Sequence, residues 1–181
     1  MKHVFAILFL LSLSIPVLGQ ERLRTAEGMI SFDASSPLED IVAKNDKVNG
    51  ILDAQTGEIA VVLLIKDFQF RKKLMQEHFN ENYMESERYP KAIFSGTISG
   101  WSLDNLDNEG KDFRLSGELT MHGVSQPLEE TIQLKRNGRD ILCTMAFIVR
   151  TEDHKIKVPR VLFKKVAKEV NVRVELELSP E

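Results

Sequence analysis

Alternation of apolar and polar residues at every second position is the feature that most restricts what this chain can become. Phe113, Leu115, Gly117, Leu119 and Met121 alternate with Arg114, Ser116, Glu118, Thr120 and His122. Val170, Val172, Val174, Leu176 and Leu178 alternate with Asn171, Arg173, Glu175 and Glu177. Ile141, Cys143, Met145, Phe147 and Val149 repeat the pattern with smaller or mixed residues between them. A period of two belongs to a strand with one face buried and the other in water. Further strands are expected over 28–34, 40–47, 58–66, 91–100 and 126–135. Turn signals separate them at Asn49-Gly50, Thr56-Gly57, Asn108-Glu109-Gly110, His122-Gly123 and Asn137-Gly138. About eight strands on short turns specify a mainly β chain, an antiparallel closed barrel or a sandwich.

Segment 58–66, EIAVVLLIK, is apolar on both faces. In a barrel one of those faces looks inward and the other is covered from outside. One or two short helices are available to cover it. Over 70–79, Phe70, Leu74 and His78 share a stripe with Met75 and Phe79 beside it, and Arg71, Lys72 and Glu77 lie mostly opposite. A second helix is expected to begin near Pro159, a residue suited to a first helical turn, and to carry Val161, Leu162, Val166 and Ala167 among Lys164, Lys165 and Lys168. Ser36-Pro37-Leu38-Glu39 reads as a capping box, limited to about a turn by the strand-like residues after it.

Before the strands, Met1-Lys2-His3 leads into an apolar run from Val4 to Leu18 and a small residue, Gly19. That layout is a secretory signal peptide over 1–19, leaving one domain over 20–181. The run is shorter than the ~20 apolar residues of a membrane span. The expectation is therefore an exported protein without a membrane span, periplasmic or extracellular. Cys143 is the single cysteine, so no intramolecular disulfide can form and the domain depends on its core. A net charge of −3 is unfavourable for general binding to nucleic acid.

The densest chemistry lies in QEHFNENYMESERYP, residues 76–90. His78, Glu81 and Glu85 would share a face if the helix continued, but Asn80 and Asn82 are poor helix-interior residues. The expected roles are a helix end anchored by Phe79 and Tyr83, His78 on the buried side with Phe70 and Leu74, and Tyr89-Pro90 leading into the strand of Phe94. No metal site is expected there. Cys143 sits within an alternating strand, where a thiol behaves as a small hydrophobe. Ser95 and Ser116 lack the glycine setting of a nucleophile elbow. No catalytic residue is assigned. His154, Lys155, Lys157, Arg160, Lys164, Lys165 and Lys168 form a basic group that reads either as a solvated face or as an anion-attracting rim.

HFNENYMESERYPKAIFSGTI at 78–98, followed by LSGELTMHGVSQPL at 115–128, resembles the YceI-like family of exported, lipocalin-like proteins. Tyr89, Pro90 and Phe94, and the run 117–125, carry most of the likeness, which extends over nearly all of residues 20–181. One departure is clear: the chain reads FRKKLMQEHFNENY where better-known members have an Arg-Asp-x-His-Leu-like segment. The resemblance implies an antiparallel lipocalin-like barrel with a helix against it, holding a polyisoprenoid or quinone-like lipid without catalysis and without another cofactor. On this reading Phe68, Phe70, Leu74, Phe79, Phe94, Met145 and Phe147 contact the ligand, and Lys155, Lys157 and Arg160 form a rim for its head group. A barrel of this size can be hollow or filled by its own side chains. The filled form would be a structural or interaction module of the cell envelope. Monomer and homodimer both remain open.

Overall fold

The computed structural model describes residues 21–158 and 166–181. Nine strands are hydrogen-bonded into one sheet: β1 (Arg22–Asp33), β2 (Val42–Asp53), β3 (Glu58–Leu64), β4 (Gln69–Phe70), β5 (Lys91–Ile98), β6 (Lys111–Met121), β7 (Val124–Asn137), β8 (Asp140–Arg150) and β9 (Glu169–Pro180). The order is β1-β9-β8-β7-β6-β5-β3-β2-β4, and β1 also pairs with β2. Eight strands thus close an antiparallel barrel, and β4 is a two-residue addition beside β2. Closure removes the unpaired edges an open sheet would present. The alternating segments and the barrel read from the sequence are all present.

The turns form where the sequence marks them, with one exception. Met121 pairs with Val124, so His122-Gly123 is a two-residue hairpin loop, and both residues have positive φ, 52° and 71°. That is the geometry whose twist matches the flanking strands. Asn49-Gly50, in contrast, is not a turn. β2 runs unbroken through it as one strand from Val42 to Asp53, because Gly50 pairs with Thr25 on one side and Val61 on the other. A Cβ there would stand 3.4 Å from Leu176, Leu178 and Thr25, in ordinary contact with the core.

Ser36-Pro37-Leu38-Glu39 forms no helix; Ser36 and Glu39 close a small bridged turn between β1 and β2. The first helix, α1 (Lys73–His78), is shorter than the stripe over 70–79, because Phe70 is taken into β4 by pairing with Ala43. Asn80 and Asn82 do not end the helical path. It widens into a π-helical turn over Phe79–Tyr83, and the Met84 amide donates to the Phe79 carbonyl. The Asn80 side chain spans this wider turn by donating to the Gln76 carbonyl at 3.0 Å. Pro159 and most of the expected second helix lie outside the described residues, as does the expected signal peptide. Val166, Ala167 and Lys168, at the end of that expected helix, are not helical.

The barrel has two unlike halves. At one end the inward residues fill the space: Leu52, Ile59, Leu115, Leu134, Ile141, Leu176 and Leu178 are all buried. Trp101 lies over this end and donates from Nε1 to the Ala54 carbonyl at 2.9 Å. At the other end stand the last residues of β1, β3, β6 and β8, with α1 and the π-helical turn beside them. In β3 the inward Ile59 and Leu63 are buried, but the outward Ala60, Val62 and Leu64 are only half-buried. The outer face of 58–66 is thus not fully covered.

Candidate functional site

The open half of the barrel encloses a cavity of about 490 Å³. That is within the range of sites that hold small organic ligands. Its wall is built from inward positions near the strand ends: Ile30 and Phe32 of β1, Leu63 of β3, Ala92 of β5, Leu119 and Met121 of β6, Phe147 and Val149 of β8, and Val170 and Val172 of β9. The period-two pattern explains this placement. Phe147 pairs with Val172, and Leu63 pairs with Ala92, so the apolar side of each strand arrives at a common level.

A group of four phenylalanines makes the most crowded part of this wall. Phe32 lies 5.1 Å from Phe68, 5.8 Å from Phe70 and 5.4 Å from Phe79, measured between ring centroids. Phe79 in turn lies 5.6 Å from Phe68 and 5.1 Å from Phe70. These separations fall in the favourable range for aromatic pairs. Backbone pairing brings the rings together: Ala43 of β2 stands between Phe32 of β1 and Phe70 of β4. Its methyl group is small enough to be buried below the rings. The six-residue α1 is far too short to be stable alone. Phe79, at the end of the helix, docks it on this group.

Polar side chains are few and gather near the mouth. Lys72 pairs with Glu39 at 3.1 Å, and both line the cavity. The two opposite charges face each other there. His78 and Thr151 are the neighbouring polar lining groups. Tyr83 also lines the space, and burial raises its phenol above the ordinary tyrosine range, so it stays neutral at physiological pH. The electrostatic character of the interior is therefore close to neutral and apolar.

The structure distributes the sequence-derived residues unevenly. Phe68, Phe70, Leu74, Phe79 and Phe147 all line the cavity. Leu74 does so from the rim, since it is 61% exposed. Phe94 and Met145 do not line it; they sit one step deeper, where the filled half begins. Lys155 and Lys157 are exposed and do not line the cavity either, whereas Ile156 and Val158 between and after them do. Arg160 lies outside the described residues. His78 is exposed at the rim and not on a buried side, because the short helix turns that face to the opening.

His154, grouped by sequence with the basic residues, is buried at 3% exposure. Its Nδ1 is 3.2 Å from the Val124 carbonyl, and its own carbonyl accepts from His122 Nδ1 at 2.9 Å. The two histidines therefore fasten the β8–β9 connection to the β6–β7 hairpin. Tyr89 packs on the His122 ring at 4.7 Å, bringing in the corner before β5. Sequence reasoning missed Phe32, Tyr83, Met84 and Met121 as wall residues. Phe32 and Met121 are apolar residues at the very ends of strands, which is the signal that marks a cavity near a barrel mouth.

Known proteins share this architecture. The YceI-like domain matches residues 22–178 of the chain. A UPF0312 protein of Photorhabdus laumondii is 27% identical over 114 residues, 63% of this chain. The match spans only 47% of that relative's length. Among solved structures, a polyisoprenoid-binding domain from Saccharophagus degradans superposes with a TM-score of 0.77 at 15% identity, covering 90% of this chain and 99% of that one. BcnA of Burkholderia cenocepacia gives 0.70 at 15% identity, with 85% and 97% covered. The YceI protein of Campylobacter jejuni gives 0.61 at 13% identity, with 77% and 84% covered. At these identities the likeness is one of fold.

Proposed function

This chain belongs to the YceI-like domain family, and from that premise we propose that it is an exported, non-enzymatic binding protein that holds an isoprenoid or quinone-like chain inside its barrel. The observation that carries the reading is the 490 Å³ cavity with a wall of aliphatic and aromatic side chains and its polar groups confined to the mouth. Such a space suits a ligand recognised by burial of hydrocarbon. Each methylene moved from water into it contributes about 0.8 kcal/mol before the cost of ordering the chain. The relative from Saccharophagus degradans, described as polyisoprenoid-binding, supports the same ligand class.

Export rests on the basic start and apolar run of residues 1–19. Among the described residues no helix is long and apolar enough to cross a membrane. Extraction of the protein purified from its native envelope, followed by mass spectrometry, tests the ligand reading. A co-purifying prenyl lipid or quinone, or stoichiometric uptake of one by delipidated protein, is the expected result. An empty extract together with no uptake would remove the proposal.

A further inference from the structure

The hollow half of the barrel gives way to the filled half within two residues on most strands. Leu63, Ala92, Phe147 and Val172 line the cavity, and Val61, Phe94, Met145 and Val174, two residues deeper, do not. On β6 the deepest lining residue is Leu119, the cross-strand partner of Phe94, and Gly117 below it has no side chain. Phe94 decides the position of the step. A Cβ built on Gly96 or Gly117 would fall 2.6 or 2.7 Å from Phe94 Cζ. The ring therefore occupies the place that side chains on this opposed glycine pair would take. Phe94 is 8% exposed and part of the continuous core. The ring thus sits over the two glycines at the start of the filled half.

We propose that this floor makes the cavity a length gauge: it admits an apolar chain of about 20 carbons, or about four isoprene units, at the ~25 Å³ per carbon implied by benzene in a 150 Å³ cavity. The inference rests on the isoprenoid-binding reading above and adds chain-length selection to it, with Phe94 as the specificity-determining residue. Units of a longer chain that do not fit within the described wall gain less from burial there.

Equilibrium binding of prenyl alcohols with two to six and nine isoprene units to the delipidated full-length protein tests this. Affinity is expected to rise about tenfold or more with each unit up to four, then by less than about threefold in total out to nine. Phe94→Ala removes a benzene-sized group, so the break should move to about five units. Ala92→Phe adds such a group on the hollow side without opening the core, and the break should retreat to about three. Should Phe94→Ala fail to fold, Ala92→Phe decides alone. Affinity that keeps climbing to nine units, or a break that stays at four in Ala92→Phe, overturns the gauge and leaves isoprenoid binding standing. No binding at any length removes the isoprenoid reading, and the gauge with it.

Discussion

Replacing Gly117 by alanine isolates the close approach of β5 and β6 on which the floor of the cavity depends. Gly117 faces Gly96 across the two strands. An added Cβ would stand 2.3 Å from the Ser95 carbonyl oxygen, 2.6 Å from Gly96 Cα and 2.7 Å from Phe94 Cζ. Carbon atoms in ordinary contact are about 3.5–4.0 Å apart. The strands must therefore separate by roughly 1 Å, because two of the three obstructing atoms are backbone and cannot rotate away. Overpacking of this kind costs about 1–3 kcal/mol, and stretching the neighbouring ladder hydrogen bonds adds about 1 kcal/mol. The expected loss is about 3 kcal/mol. With a urea m-value of about 2 kcal/mol/M, the midpoint falls by about 1.5 M. Urea titration followed by Trp101 fluorescence reads it directly, since Trp101 is the single tryptophan. Phe94→Leu should rescue little of the loss, because it relieves only the ring contact. A loss under about 1 kcal/mol, or full rescue by Phe94→Leu, would refute the argument that backbone proximity demands glycine here.

Three further outcomes are expected. Cys143 is 1% exposed, and burial pushes its thiol from 9.0 up to about 12; iodoacetamide at pH 8 should label it only as fast as the chain unfolds. Because the folded value lies above the unfolded one, its contribution to stability is complete below pH 9 and is lost as pH rises towards 12, an alkaline loss that Cys143→Ala should lack in pH-dependent melting. The carbonyl of His154 can only accept, so His122 Nδ1 donates to it, while Nε2 is buried without a hydrogen-bond partner, 3.7 Å from Glu85 Oε2. Glu85→Gln places an amide donor beside Nε2 and should stabilise the protein by about 0.5–1 kcal/mol at pH 8 in urea titrations if Nε2 accepts, whereas a comparable loss would show that Nε2 instead faces the Glu85 carboxylate as a donor. Phe79→Ala should cost about 2–3 kcal/mol, less than a fully enclosed phenylalanine because its ring already borders open space, and prenyl alcohol affinity should fall with it; an unchanged melting temperature would show that the rings do not dock α1.

The strands were legible because each long one carries its own evidence. In β6 and β9 the alternation continues across almost the whole strand, so both existence and orientation follow from neighbouring residues. The aromatic members of the site were partly legible for the same reason: Phe68, Phe70 and Phe147 are apolar residues at strand ends or beside them. Asn49-Gly50 misled because an Asn-Gly pair usually makes a hairpin. Here Gly50 is held inside β2 by pairing with Thr25 of β1 and Val61 of β3, which the dipeptide alone does not show. His154 misled because an isolated view of its basic neighbours says nothing of the hairpin carbonyl that fixes it.

The sequence by itself determined antiparallel strands with one apolar side each, a tight turn at His122-Gly123, and a core built without disulfides. Local periodicity and backbone preference suffice for these, since they act between residues a few positions apart. Only the tertiary structure decided where the inside is filled and where it is empty. Phe94 and Phe147 look alike in their strands, each an inward aromatic flanked by alternating neighbours. Strand register puts Phe94 over Gly96 and Gly117 and brings Phe147 level with Val172 in open space. One becomes floor and the other wall, because the volume left inside a closed barrel depends on all the facing side chains at that level together.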